Sequence, residues 1–131
     1  MRAKKKIGKV IIPADANPWP NEKRIATILA KAGHVVEFIP ETNIKTPDIY
    51  VDRTIYEIKS PISDKVDAVE RNITRALTKS PNVIFDSSRM RNLRDAQIIR
   101  ELIKLRKAGK GLRKLLLINK QEEIVDIERL I

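Results

Sequence analysis

Cysteine is absent from this chain of 131 residues, and histidine occurs once. The first absence excludes a disulfide scaffold, a cysteine-ligated zinc site and thiol chemistry, and the second excludes a metal centre built from several imidazoles. No apolar run approaches the roughly 18 residues of a membrane span. Aromatic residues make up 4% of the chain, which argues against a protein that binds single strands along a row of stacking rings.

Positive charge is what the sequence has in excess, with a net charge of +10 at neutral pH. A surplus of this size favours a polyanionic partner, usually nucleic acid. It lies in residues 1–20 and 87–114, whereas the basic and acidic residues of 21–86 cancel. This distribution is expected for a phosphate-binding surface around an acidic reaction centre. A helix face made basic only for solubility is the alternative for 87–114.

The hydrophobic pattern predicts a single α/β domain over residues 1–131, with helices covering a central mixed sheet. It comprises a basic N-terminal segment (1–20), a core (21–86) and a basic helix (92–108). Asn21 is the expected N-cap of the first helix, and Asn92 with Asp95 forms the expected capping box of the third. The predicted elements are strands at 7–12, 35–39, 48–51, 54–59, 82–86, 115–118 and 124–127, and helices at 21–32, 64–79 and 92–108.

A predicted hairpin carries the candidate chemistry. If Asp52 and Arg53 form a two-residue turn, Asp48 lies directly opposite Glu57, and the two carboxylates share one face of the sheet. Lys59, two residues beyond Glu57, projects on the same face. A slip of one residue in the register would separate the two acids.

Two facing carboxylates repel each other, and a divalent cation is the natural compensation. Oxygen ligands with retained waters suit Mg²⁺ or Mn²⁺. Such an ion polarises a phosphoryl oxygen and helps to ionise a water, while Lys59 could orient that water or neutralise charge on the phosphate. The alternative is that Asp48 and Glu57 are exposed strand residues paired with nearby basic side chains.

Pro47-Asp48 followed by Glu57-Ile58-Lys59, after a helix that carries Glu22, resembles the PD-(D/E)XK nuclease superfamily. The resemblance covers roughly residues 21–86. It implies a restriction-endonuclease-like fold in which Asp48, Glu57 and Glu22 bind the metal and Lys59 assists catalysis.

Longer stretches of the sequence resemble the C-terminal tRNase domains of contact-dependent growth-inhibition toxins. They are Asn21-Glu22 through Gly33-His34, Thr46-Pro47-Asp48, Tyr56 to Pro61, Arg71-Asn72-Ile73 and Asn82 to Asp86. The resemblance implies cleavage of RNA, most often tRNA, in the cytoplasm of a target bacterium, and a cognate immunity protein as partner. A DNase with the same residues and a non-catalytic nucleic-acid-binding protein remain the alternatives.

Further residues are candidates for binding the nucleic acid or for assisting the reaction. Asp86 could belong to the site or cap a turn, His34 could be a general base or a surface histidine, and Trp19 could stack on a base or anchor the core. The candidate nucleic-acid-binding residues are Arg71, Asn72, Arg75, Arg89, Arg91 and Arg94.

Overall fold

A computed structural model describes residues 7–42 and 46–131; the basic residues at positions 4–6 lie outside this range. The described part has the predicted order of elements and confirms the α/β class. The elements are β1 (Lys9–Ile11), α1 (Pro20–Lys31), β2 (Val35–Phe38), β3 (Ile49–Val51), β4 (Thr54–Lys59), α2 (Asp67–Ala76), β5 (Asn82–Asp86), α3 (Asp95–Ala108), β6 (Lys114–Ile118), β7 (Ile124–Asp126) and a final 3₁₀ turn (Ile127–Leu130).

The seven strands of the described residues form one sheet whose spatial order follows the chain. The β1–β2, β4–β5 and β5–β6 pairs are parallel, and the other neighbours are antiparallel. Because α1, α2 and α3 connect the parallel pairs, all three helices begin at the edge where β1, β2, β4, β5 and β6 end. The start of β3 lies there too. This C-terminal edge is where open α/β sheets usually bind ligands.

Two hydrophobic clusters lie on opposite faces of the sheet. One packs α1 against residues that include Ile49, Tyr56 and Ile58, and the other packs α2 and α3 against Val83 and Phe85. Side chains alternate between the two faces of a strand, so Glu57 projects away from α1, toward the side that α2 covers.

The close approach of β1 to the end of α1 depends on Gly8. A Cβ at this position would lie 1.8 Å from the backbone oxygen of His34. The Gly8 N–H donates to the Ala30 carbonyl at 2.9 Å. Glycine therefore allows the first strand to pack where any other residue would collide with the backbone.

The first helix begins one residue earlier than predicted, and its cap is different. Trp19 is the N-cap and Pro20 the first helical residue, a position that suits the fixed φ of proline. The prediction that Asn21 is the N-cap is wrong, because Asn21 already lies inside the helix. Its Oδ1 instead accepts hydrogen bonds from Arg24 at 3.2 and 3.3 Å.

The predicted Asn92–Asp95 capping box of the third helix is also wrong. The helix begins at Asp95, after Arg94 as N-cap, and Gln97 Oε1 accepts the Arg94 N–H at 3.1 Å. Asp95 is engaged elsewhere: its carboxylate accepts from the Ser87 hydroxyl at 2.6 Å and from the Lys120 N–H at 3.0 Å.

The second helix and the last strand are shorter than predicted. The helix ends at Ala76 rather than at residue 79, where the Thr78 hydroxyl donates to the Arg75 carbonyl at 2.7 Å. Val66, the N-cap of the helix, is 44% exposed. Ile127 lies in the final 3₁₀ turn, because Asp126 accepts the Glu128 N–H and ends β7.

Candidate active site

The hairpin of β3 and β4 has the predicted register. Val51 is opposite Thr54, and Ile49 is opposite Tyr56. The turn residues Asp52 and Arg53 both have positive φ, 48° and 71°, as a two-residue turn matched to strand twist requires.

Asp48, one residue before β3, and Glu57, inside β4, therefore lie next to the pair of Ile49 and Tyr56. The Asp48 N–H donates to the Tyr56 carbonyl at 3.2 Å, and Asp48 Oδ2 accepts the Ile58 N–H at 2.7 Å. This hydrogen bond fixes the Asp48 carboxylate beside β4. The Asp48 carboxyl group also interacts with that of Glu57 and raises its pKa.

Glu57 is a buried acid, with its side chain only 2% exposed. Burial, and next the charge of Asp48, raise the pKa of Glu57 to about 7. The ammonium groups of Lys79 and Lys59 act against this rise, each with its Nζ atom 3.6 Å from Glu57 Oε2. The other oxygen, Oε1, is buried and accepts no hydrogen bond from the described residues.

Lys79 is a site residue that the sequence analysis missed. Helical spacing puts Asn72, Arg75 and Lys79 on one face of the predicted helix, and the first two were the candidates for binding nucleic acid. In the structure Lys79 follows the end of α2, and its side chain reaches Glu57. The signal was present in the shared face, but only the fold shows which of the three side chains points to the hairpin.

Glu22 joins the two hairpin acids from the first turn of α1. Its Oε1 accepts the Trp19 N–H at 2.8 Å. Burial raises the pKa of Glu22 against the lowering effect of this hydrogen bond, and the nearby Asp48 carboxylate raises it further. Asp48 thus interacts with both other acids. The structure brings together all four residues that the sequence proposed for the site: Glu22, Asp48, Glu57 and Lys59.

Two clefts open at this position. One has a volume of about 400 Å³ and is lined by Trp19, Glu22 and Asp48, among others. The second, of about 550 Å³, is lined by Trp19 and Glu22 together with Lys59 and Arg89. Glu22 and Trp19 border both. A chain laid across the C-terminal edge would therefore pass Asp48, Glu22 and Lys59 in succession, whereas Glu57 lines neither cleft.

The donor set at the hairpin suits a hard divalent cation. Across residues 7–42 and 46–131, no three acidic, histidine or cysteine side chains are arranged to ligate one ion together. Mg²⁺ commonly takes only one or two protein carboxylates and completes its shell with water and substrate phosphate. The buried Glu57 Oε1, which has no donor, and the adjacent Asp48 carboxylate fit that mode of binding.

The described fold is similar to that of a chain in the solved CdiA-CT/CdiI toxin and immunity complex from Burkholderia pseudomallei. The TM-score is 0.70 at 17% sequence identity, and the match covers 90% of this chain and 98% of that chain. At this identity the likeness shows a shared fold. No protein-family model and no curated protein matches the chain.

An ion pair between Arg24 and the buried Asp86 connects elements that carry site residues. Asp86, at the end of β5, is fully buried. It accepts hydrogen bonds from Arg24 Nη2 at 2.7 Å, Ser60 Oγ at 2.5 Å and Ser88 Oγ at 2.9 Å. Burial acts to raise the pKa of Asp86, but these hydrogen bonds and the Arg24 charge outweigh it and lower the pKa. The pair ties α1, which carries Glu22, to the segment after Lys59.

Two of the three candidates on α2, Arg71 and Asn72, make side-chain contacts within that helix. Arg71 Nη1 pairs with Asp67 Oδ2 at 3.0 Å, and Asn72 Nδ2 donates to the Ala68 carbonyl at 2.8 Å. With Arg75, they form no hydrogen bond or ion pair with the four site residues among the described contacts. The basic residue after α2 that does reach the site is Lys79, whose Nζ lies 3.6 Å from Glu57 Oε2.

The basic segment 87–114 begins at the C-terminal edge and runs along α3. Arg89 donates to the Ser60 carbonyl and borders the second cleft. Arg106 pairs with Glu128. The exposed basic residues of the segment are Arg89, Arg91, Arg94, Arg100, Lys104, Lys107, Lys110, Arg113 and Lys114.

His34 lies beside the hairpin turn, at the edge of the sheet opposite Glu22, Asp48 and Glu57. Its Nδ1 is 2.7 Å from Asp52 Oδ2, and Asp52 Oδ1 accepts the Val35 N–H at 2.8 Å. This arrangement matches the surface-histidine alternative.

No helix in the described part of the chain is both long enough and apolar enough to cross a bilayer.

Proposed function

We propose that this protein is a metal-dependent nuclease that acts as the toxin of a contact-dependent growth-inhibition system, with tRNA as its substrate. The observation that carries the nuclease proposal is the convergence of Glu22, Asp48, Glu57 and Lys59 at one edge of the sheet. The shared fold with a chain of a toxin and immunity complex supports the toxin role. The net charge of +10 supports a nucleic-acid substrate.

Asp48 and Glu57 would hold Mg²⁺ or Mn²⁺, with Glu22 beside them. When bound, such an ion supplies Lewis acidity at a phosphoryl oxygen and lowers the pKa of a water. The protein's own contribution is positional. The Ile58 N–H fixes Asp48, and the Lys59 ammonium group, 3.6 Å from Glu57 Oε2, is placed to orient the attacking water. Exposed basic residues on α3 hold the phosphate backbone, so binding weakens with salt.

The proposal includes a protein partner and a site of action. A toxin of this kind requires a cognate immunity protein, and the strong positive charge of this chain favours an acidic one. The enzyme would act in the cytoplasm of the target bacterium. Gel filtration of the chain with the product of a neighbouring gene for a small acidic protein tests the partnership, and two separate peaks would count against it.

Cleavage assays on total tRNA and on duplex DNA test the nuclease proposal. We expect cleavage of tRNA with Mg²⁺, none with EDTA, and a loss of at least about 100-fold in Asp48→Ala, because even outer residues of metal sites are worth 10- to 100-fold. Asp67→Ala, which removes an exposed acid on α2, is the matched control and should retain activity. Full activity in Asp48→Ala would refute the site, and cleavage of DNA alone would favour the DNase.

A further inference from the structure

Trp19 is the only tryptophan of the chain, and it lies on the surface, 73% exposed. Tryptophan is a highly buried residue on average. The sequence left open whether this ring anchors the core or meets a ligand. Its exposure removes the first alternative, because a core anchor would be covered by its neighbours.

The backbone that carries the ring is held firmly. Pro18 and Pro20 flank Trp19, and proline fixes its own φ and restricts the residue before it. The Trp19 N–H donates to Glu22 Oε1 at 2.8 Å, and its carbonyl accepts the Lys23 N–H at 3.1 Å. The indole is therefore presented from a preorganised position, which reduces the entropy lost when a ligand binds.

The position of the ring points to the ligand. Trp19 borders the cleft that contains Asp48 and also the cleft that contains Lys59 and Arg89. A flat group stacked on the indole would lie beside the acids. Arg89, which lines the second cleft together with Trp19, would contact a neighbouring phosphate of the strand. A planar ring attached to a phosphate is a nucleotide.

We propose that Trp19 stacks on one unpaired nucleobase next to the bond that is cut, so that the protein cleaves in single-stranded segments. This inference rests on the proposed function. Both faces of a base inside a duplex are covered by its neighbours, so a base must be unpaired or extruded before a protein ring can stack on it. One exposed indole ring can stack on one base, which agrees with the low aromatic content of the chain.

The single tryptophan makes the contact directly measurable. In EDTA, so that no cleavage occurs, a short unpaired RNA oligonucleotide is added to the protein while the indole emission is recorded. We expect saturable quenching by the unpaired oligonucleotide and little by a blunt duplex of the same sequence. The proposal would be overturned if fluorescence anisotropy of a labelled oligonucleotide showed binding without any change in indole emission. That result would favour contact of the ring with a protein partner.

Substitution provides the second measurement. Trp19→Ala keeps both backbone hydrogen bonds, and we expect it to bind the unpaired oligonucleotide about 5- to 150-fold more weakly, the measured range for one stacked base. Affinity for the duplex and the salt dependence should not change, because stacking releases no counterions. Leu130→Ala, which removes an exposed apolar side chain from the final 3₁₀ turn, is the matched control.

The outcomes separate this inference from the proposed function. If Trp19→Ala binds as tightly as the unmodified protein while Asp48→Ala abolishes cleavage, the stacking proposal fails and the nuclease stands. If the protein cuts no nucleic acid but its emission is quenched, the nuclease proposal fails. Circular dichroism of Trp19→Ala checks that the variant is folded, so a loss of binding can be attributed to the ring.

Discussion

Replacing Glu57 by glutamine should stabilise the protein in the absence of metal while abolishing its proposed activity. The Glu57 side chain is almost completely buried, and its Oε1 has no donor among the described residues. Glutamine has the same shape without the charge. Lys59 and Lys79 lose an ion pair, but both side chains are partly exposed and can turn to solvent.

The magnitude follows from the pKa of Glu57. Burial and Asp48 raise it from 4.5 to about 7, and each pKa unit corresponds to about 1.4 kcal/mol. Between these two pH values the folded protein binds more protons than the unfolded chain. Its free energy of unfolding therefore falls as the pH rises through this window. Once Glu57 is ionised, the total loss is about 3 kcal/mol.

Urea unfolding in EDTA at about pH 4.5 and pH 8 measures this loss. We expect Glu57→Gln to match the unmodified protein at the lower pH and to exceed it by about 3 kcal/mol at the higher pH. Glu70→Gln, at an exposed position on α2, is the control and should change neither value. A Glu57→Gln variant that is less stable than the unmodified protein at pH 8 would refute the reasoning, since it would mean that the ion pairs outweigh burial.

Arg24→Met leaves the buried Asp86 carboxylate without its cation, and we expect a loss of about 3 kcal/mol in the free energy of unfolding, measured in urea at neutral pH; no loss would contradict the role of this pair. The pKa of Asp86 is lowered below 3.8, so the stability that its carboxylate contributes is present above that pH and is lost as the pH falls further. Asp86→Asn should therefore lack this acid-dependent loss of stability, which acid unfolding monitored by circular dichroism measures. Lys79→Met removes one of two cations beside Glu57, and thermal unfolding at neutral pH should show a loss of up to about 1 kcal/mol; greater stability would contradict this. Replacing Arg100 and Lys104 together by glutamine should reduce the slope of log K against log salt by about 1.4 for a single strand, as measured by anisotropy, and an unchanged slope would remove α3 from the binding surface.

The hairpin could be predicted from the sequence because its determinants are local. A two-residue turn and alternating side chains were enough to bring Asp48 opposite Glu57. The order of strands and helices also followed, since the hydrophobic period changes clearly between segments. The caps of α1 and α3 were wrong by a few residues, because backbone hydrogen bonds from Trp19 and Arg94 to side chains three residues later replaced the expected asparagine caps.

Long-range contacts were what the sequence could not provide. Lys79 reaches Glu57 through the packing of α2 against the sheet, and no spacing rule links positions 57 and 79. The Arg24–Asp86 pair joins residues that are 62 positions apart. The exposure of Trp19 likewise depends on how the described segments around it fold, which the sequence pattern does not show.

The most direct test of the account is a crystal of the protein soaked in Mn²⁺, with the anomalous signal of the metal recorded. The account predicts a single strong peak between the Asp48 carboxylate and Glu57 Oε1, and its disappearance in Glu57→Gln. A well-ordered site with no peak there, or Mn²⁺ bound only elsewhere, would contradict the claim that these two acids were brought together to hold a cation.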